Sequence, residues 1–213
     1  MLIVGAGPAG LAAALSAGAA GADVILCDEQ ADLGGSLLHE TTATIDGMPA
    51  RDWLAAALAR LRACPSVRLM PRTQAFGYYA QNHVALSERV SDHLAGDGPV
   101  RERLWQVRAK EVVIATGAIE RPLVFAGNDR PGVMLAEAGR AFLNRYGVKV
   151  GARIVVATAH DSAYRVALDL HSAGVAVSAV VDLRAEPPAR WMDEARAAGL
   201  RVIASATLTG TRG

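Results

Sequence analysis

Glycines 5, 7 and 10, in the run Leu2-Ile3-Val4-Gly5-Ala6-Gly7-Pro8-Ala9-Gly10-Leu11, follow the G-x-G-x-x-G pattern directly after an apolar stretch. A small-residue segment follows, and the next apolar run, Val24-Ile25-Leu26-Cys27, ends in Asp28-Glu29. This arrangement is suited to holding a dinucleotide. Gly5 permits the tight turn, Gly7 lets the backbone approach a pyrophosphate, and Gly10 lets the following helix pack closely on the strand. Pro8 and Ala9 complete the loop, so the phosphates face the positive end of the helix dipole. The Asp28 carboxylate, with Glu29 beside it, can accept hydrogen bonds from a ribose.

Three further places extend the candidate site. Gly34, Gly35 and Ser36 follow the acid at a distance that brings backbone N–H groups near a sugar or phosphate. Ala115-Thr116-Gly117 ends the apolar run Glu111-Val112-Val113-Ile114, and parallel strands place their carboxyl ends together, so a small hydroxyl and a glycine arrive beside Gly5–Gly10. Ala75, where the chain changes character, is the last candidate contact. No nucleophile–base pair, paired carboxylates or metal-ligand cluster accompanies these residues, so no catalytic residue is assigned. His83, His93 and Trp105 lack partners at ligand or catalytic spacing. Cys27 and Cys64 form no C-x-x-C motif and read as structural thiols in a reducing cytoplasm.

The totals agree with a binding fold. The chain has 213 residues, 52% of them apolar and 5% aromatic, which suits small-residue helices packed closely on a parallel sheet. A formal net charge of +1 marks neither a nucleic-acid partner nor an anionic membrane surface. No apolar run is long enough to span a bilayer, and the first residues lack the basic region of a signal peptide.

These elements must position the candidate residues. The sequence predicts a helix from Leu11, stopped by Gly21, and a strand over 24–27. A helix over 49–63 carries Trp53, Leu54, Leu58 and Leu61 at helical spacing, and Val67-Arg68-Leu69-Met70 reads as a third parallel strand. Alternating segments around 73–109, with a turn at Gly96-Asp97-Gly98-Pro99, read as an antiparallel excursion between parallel strands. Pro122, Gly127, Pro131 and Gly132 punctuate a crossover over 118–146 that ends in a helix from about Leu135. The expected fold is therefore α/β, a Rossmann-like sheet of the FAD/NAD(P)-binding type with an antiparallel insertion over 1–146, followed by a second, partial unit over 147–213.

The second unit repeats the strand–helix–strand pattern without its glycines. Ile154-Val155-Val156-Ala157-Thr158 is the strand, 161–173 the helix and 175–181 the next strand; a helix over 189–198 and a strand over 200–204 follow. Ala157, Ala159 and Ser162 stand where the three glycines belong, and Asp161 sits at the helix start. A carboxylate there can cap the helix but repels a pyrophosphate. This unit is expected to hold no dinucleotide, which disfavours hydride uptake from NAD(P)H at a second site. The chain starts within its first strand, four residues before Gly5, and stops soon after the last strand, so it reads as a segment of a larger polypeptide.

The run from Ala115-Thr116-Gly117-Ala118-Ile119-Glu120-Arg121-Pro122 to Pro131-Gly132-Val133-Met134-Leu135 resembles the alpha subunit of heterotetrameric sarcosine oxidase. So do Glu88-Arg89-Val90-Ser91-Asp92-His93-Leu94, Arg103-Leu104-Trp105 and Asp161-Ser162-Ala163-Tyr164-Arg165. The resemblance implies a cytoplasmic multi-subunit oxidoreductase, with beta, gamma and delta partners, that demethylates sarcosine to glycine, formaldehyde and hydrogen peroxide. It further implies FAD and FMN elsewhere in the complex, tetrahydrofolate acting outside this segment, and a tightly bound NAD+ without redox turnover in the part matched here. FAD is the alternative occupant, as in the FAD-binding domains of related opine-oxidase or cyanide-synthase subunits, which the Ala-Thr-Gly and Glu-Arg-Pro pieces also resemble. A non-enzymatic assembly module is the remaining alternative.

Overall fold

A computed structural model of the protein describes residues 1–96 and 98–212; of the turn expected at 96–99, Asp97 lies outside the described residues. The chain forms two compact units, Met1–Ala118 and Ile119–Gly213.

The first unit opens with β1 (Leu2–Val4), α1 (Pro8–Ala19) and β2 (Val24–Cys27). A short 3-10 turn (Gly35–His39) leads through the hairpin β3 (Thr44–Ile45) and β4 (Met48–Pro49) into α2 (Ala50–Ala63) and β5 (Val67–Met70). An antiparallel sheet of β6 (Thr73–Tyr79), β7 (His83–Arg89) and β8 (Glu102–Arg108) intervenes before β9 (Val112–Ile114) returns to the first sheet. That sheet has the order β5-β2-β1-β9, parallel throughout. The expected antiparallel excursion is therefore present. It forms because Gln81 and Asn82 both take left-handed φ values, +59° and +51°, which turn β6 tightly into β7.

The core explains the small residues of α1. Gly10, Leu11 and Ala14 are its buried positions, so the helix presents little bulk to Ile3 and Leu26 of the sheet. On α2, Ala50, Leu54, Ala57 and Leu61 recur at helical spacing and close the same core, with Trp53 packed at its margin. The opposite sheet face, Leu2, Cys27 and Met70, packs on Val84 and Leu86 of the antiparallel sheet.

The second unit contains α3 (Ala136–Tyr146), β10 (Arg153–Thr158), α4 (Ser162–Ser172), β11 (Ala176–Asp182), α5 (Ala189–Ala197) and β12 (Val202–Ile203). Its sheet is parallel, in the order β10-β11-β12. The boundary differs from the one read at 146/147. Helix α3 packs through Ala136 and Leu143 against Val166 and Leu170 of α4, and its buried Arg140 donates from Nε to Asp169 Oδ2 at 2.7 Å. Those contacts carry residues 119–146 into the second unit. Gly147, at φ +69°, ends α3 as expected.

Candidate functional site

The three glycines of the first turn differ in what a side chain would meet. Gly5 sits at φ +98°, and a Cβ there would lie 2.7 Å from the carbonyl carbon of Ala115 and overlap its oxygen. Gly10 has no unusual φ, but its Cβ would overlap the Gly5 carbonyl, 3.0 Å from the carbonyl carbon. Gly7 is different. It is extended (φ −72°, ψ −174°), and a Cβ would meet nothing nearer than Gly35 Cα at 4.0 Å. The fold therefore leaves space on Gly7, which is what close approach of a pyrophosphate requires. Pro8 opens α1, no acid lies in its first turn and no side chain caps it, so its first N–H groups are available to an anion.

The other candidates gather around this turn. Gly35, at φ +55°, lies so close that its Cβ would stand 2.8 Å from Gly7 Cα, which brings the Gly34–Ser36 segment against the phosphate loop. Ala115 donates its N–H to Val4 O at 2.8 Å, so β9 delivers Ala115, Thr116 and Gly117 beside Gly5. Thr116 and Gly117 are exposed there.

Asp28 is hydrogen-bonded to the turn itself. Its Oδ2 accepts the Ala6 N–H at 2.7 Å and its Oδ1 accepts the Gln30 N–H at 2.8 Å. The acid thus braces the phosphate turn from behind. A carboxylate offers about four acceptor positions, so about two remain for a sugar. The backbone of this acid turn is also stitched to the antiparallel sheet. Thr73 N–H donates to Asp28 O at 2.7 Å, Arg72 N–H to Gln30 O at 2.9 Å, and Arg89 Nη2 to Glu29 O at 2.7 Å. Ala75 follows on β6, its methyl against the cluster of Leu2, Met70 and Leu86. Arg89 N–H bonds Arg72 O, so by antiparallel alternation the Ala75 N–H and C=O point to the free edge of β6, as the Thr73 N–H does. What Ala75 offers a ligand is backbone, not side chain. Ala6, Arg72, Thr73 and Arg89 were missed in the sequence, where nothing links them to Asp28.

The corresponding place in the second unit is closed by its own side chains. Asp161 lies at the start of α4 but makes no capping bond, contrary to the capping role read from its position; its Oδ1 accepts Arg184 Nη1 at 2.6 Å. Asp182, the last residue of β11 and fully buried, accepts four bonds. These come from Arg184 N at 2.9 Å, Nε at 3.0 Å and Nη2 at 2.8 Å, and from Tyr164 Oη at 2.9 Å. Burial opposes ionisation of Asp182, yet these bonds outweigh it and hold its pKa below the ordinary value. Burial, reinforced by Asp182, pushes the Tyr164 hydroxyl up to about 12. Ala157, Ala159 and Ser162 supply no glycine, and a pyrophosphate here would meet the Asp161 carboxylate, which Arg184 links to Asp182. Asp182 was legible in principle, since it ends the second strand of its unit just as Asp28 follows that of the first.

Other polar residues named in the sequence have partners of their own. Trp105 is not partnerless: its Nε1 donates to Glu88 at 2.8 Å, and Arg68 and Arg103 lie over its ring. His93 faces Asp92 at 3.5 Å and His83 stacks on Tyr79. Cys27 is buried and its thiol is pushed up to about 11, by burial first and then by Asp28. Among the described residues no His/Cys/Asp/Glu group could hold a metal ion, and no helix is long and apolar enough to cross a membrane.

This geometry has counterparts in known proteins. The chain is 50% identical to the sarcosine oxidase alpha subunit of Rhizobium meliloti (strain 1021), over 100% of its own length and 21% of that protein. It is 48% identical to the sarcosine oxidase alpha subunit of Corynebacterium sp. (strain P-1), over 99% of its length and 22% of that protein. An opine oxidase subunit of Agrobacterium tumefaciens (strain Ach5) is more distant, at 31% identity over 88% of this chain and 37% of that one. The chain thus spans about a fifth of the two sarcosine oxidase subunits. Among solved structures, Lactococcus lactis thioredoxin reductase matches with a TM-score of 0.70 at 19% identity, covering 100% of this chain and 66% of that one. L-proline dehydrogenase from P. horikoshii matches at 0.69 and 24% identity, over 85% and 34%. Both support the Rossmann-like α/β fold. The family model for pyridine nucleotide-disulphide oxidoreductases matches residues 1–208, and the chain belongs to that family.

Proposed function

We propose that this chain is the nucleotide-holding segment of a sarcosine-oxidase-type alpha subunit, and that it grips one dinucleotide in its first unit and none in its second. The observation that carries this reading is the contrast between the two turns. Space lies open over Gly7 in the first, and Arg184 joins Asp161 to Asp182 in the second. The identity to sarcosine oxidase alpha subunits supports the assignment to such an assembly.

The cradle suits the group. Gly5, Gly7 and Gly10 with Pro8 and Ala9 would receive the pyrophosphate, and the first N–H groups of α1 would meet its charge. Asp28 and Glu29 would take the adenosine ribose, and the β6 edge at Ala75 offers backbone to the base. Gly34, Gly35, Ser36, Ala115, Thr116 and Gly117 would border the remainder. NAD+ is the proposed occupant, held as a structural ligand; when it does turn over, this group accepts or gives a hydride. In this reading the segment's side chains bind and orient the nucleotide, with the Asp28 and Glu29 carboxylates acting as hydrogen-bond acceptors. Oxidation of sarcosine to glycine, formaldehyde and hydrogen peroxide, the FAD and FMN that carry it, tetrahydrofolate, and the beta, gamma and delta subunits all belong to the wider complex in this reading, which is placed in the cytoplasm.

The test is to release bound nucleotide from the purified protein by denaturation and to record its mass and absorbance. One NAD+ per chain is the expected result. Stoichiometric flavin would replace NAD+ by FAD in the same turn, as in an FAD-binding amine dehydrogenase. If no nucleotide is released and none binds when added, the binding reading is overturned in favour of an assembly module.

A further inference from the structure

The sequence segment Glu88–Leu94 carries an arginine that the proposed function leaves unexplained. Arg89 ends β7, sixty residues from Glu29, yet its Nη2 donates to the Glu29 carbonyl at 2.7 Å. Its own N–H donates to Arg72 O at 2.9 Å, and the Arg72 N–H donates in turn to Gln30 O at 2.9 Å. Together with Thr73 N–H on Asp28 O, at 2.7 Å, these bonds grip all three carbonyls of the Asp28–Gln30 turn. Two of the three donors to the turn, Thr73 N–H and Arg72 N–H, are backbone groups of the adjoining element. The third, Arg89 Nη2, reaches the turn from a side chain, and it does so at the middle residue.

The turn needs such a restraint. Glu29 and Gln30 are exposed, and the local bond at this turn runs from the Gln30 N–H to the Asp28 side chain. Both carboxylates that could read a ribose belong to this turn, and hydrogen bonds of that kind depend on placement within a few tenths of an ångström. A brace acting through the Glu29 carbonyl fixes the peptide planes on either side of Glu29, and so the direction in which both carboxylates leave the backbone.

We propose that Arg89 is a positioning residue for the ribose end of the nucleotide site, setting through Glu29 the carboxylates that distinguish a 2′-hydroxyl from its absence. The inference rests on the reading of the first unit as a nucleotide site. It also gives the antiparallel insertion a role, because the sheet then braces the acid turn from outside the parallel layer. The bond goes to one carbonyl oxygen and is not bidentate, so a lysine ammonium can replace it.

The experiment compares ADP and 2′-deoxy-ADP binding by calorimetry in the 213-residue chain stripped of nucleotide. The wild-type chain is expected to favour ADP by about tenfold, the worth of one charge-assisted hydrogen bond. Arg89→Met should bring that ratio close to one by weakening ADP and leaving 2′-deoxy-ADP unchanged, and Arg89→Lys should restore most of the preference. An unchanged ratio in Arg89→Met, or an equal loss for both ligands, overturns the positioning role, the latter in favour of a general structural one. Should Arg89→Met not fold, Arg89→Gln, too short to reach the carbonyl, is judged by the same outcomes. A wild-type chain that binds neither ligand overturns the nucleotide reading itself, whereas binding without a 2′-hydroxyl preference overturns this inference alone.

Discussion

Replacing the turn glycines by alanine one at a time separates the positions the fold needs from the one the ligand needs. At Gly5 an alanine takes φ +98°, which costs about 1–3 kcal/mol, and its Cβ runs into the Ala115 carbonyl. That obstacle is backbone and cannot rotate away, which adds about 1–3 kcal/mol of overpacking. Gly5→Ala should therefore destabilise by about 2–6 kcal/mol. At Gly10 the helix gains about 1 kcal/mol in propensity, but overlap with the Gly5 carbonyl costs about 1–3 kcal/mol, so the net loss is smaller. Gly7 behaves otherwise. Its φ of −72° suits alanine, which stiffens the unfolded chain for a gain of about 0.4–1 kcal/mol. Alanine is a poorer N-cap than glycine by a similar amount, so the two effects cancel to within about 0.5 kcal/mol. Yet its methyl occupies the space facing a pyrophosphate. Urea unfolding of the nucleotide-free chain, with calorimetric ADP titration, should give a stable Gly7→Ala that binds at least about tenfold more weakly, and a Gly5→Ala already damaged without ligand. A Gly7→Ala chain that binds like wild type would refute the reasoning, as would a Gly5→Ala chain as stable as wild type.

Further outcomes follow from the Asp182 network and from the two thiols. Arg184→Met strands the buried Asp182 carboxylate and should cost about 3 kcal/mol, the lower end for a buried pair because Arg184 is partly exposed; a loss below about 1 kcal/mol by urea unfolding would contradict the network. Tyr164 holds its proton more tightly in the folded chain, up to about 12 against an ordinary 10.0. Its contribution is therefore complete below about pH 10 and lost as pH rises through about 12, a loss of stability that Tyr164→Phe should largely remove. Asp182 has the opposite sign, its share being present above the ordinary carboxylate range and lost as pH falls through its depressed value. Finally, a thiol reagent should modify Cys64, at the half-buried end of α2, well before Cys27, whose buried thiol is pushed up to about 11; equal rates in the native chain would count against the packing of β2.

Much of this was legible in the residues because the signals are local. The glycine spacing, the apolar strands and the small-residue helix lie within about thirty positions, and each follows from short-range sterics. The antiparallel insertion also announced itself, through alternation in Arg103-Leu104-Trp105-Gln106-Val107. Bonds between distant segments were hidden. Arg89 reaches Glu29 across sixty residues, and Trp105 finds Glu88 across a strand pair, with nothing in either neighbourhood to reveal the partner. The unit boundary was misplaced for the same reason, because the crossover after Ala118 reads as a continuation of the first sheet until the Arg140–Asp169 pair is seen. Asp161 misled more instructively. Its place at the start of α4 suggested a cap, but a guanidinium at 2.6 Å competes better for a carboxylate than a neutral N–H does.

The two acids at equivalent places show why repeated architecture need not mean repeated function. Asp28 and Asp182 each close the second strand of a parallel α/β unit, and each carboxylate has about four acceptor positions. In the first unit two donors among the described residues, Ala6 N–H and Gln30 N–H, take them. One of these belongs to the glycine loop, so the acid shapes the phosphate turn and keeps capacity for a sugar. In the second unit Arg184 and Tyr164 fill all four, and Arg184 also engages Asp161 at the place where phosphates would arrive. A ribose there would have to displace a charge-assisted bond from a buried carboxylate, at more cost than its own hydroxyl bonds return. Glycine spacing alone therefore does not decide which unit binds. In the proposed reading the difference lies in how many acceptor positions the strand-end acid has left: about two on Asp28, and none on Asp182.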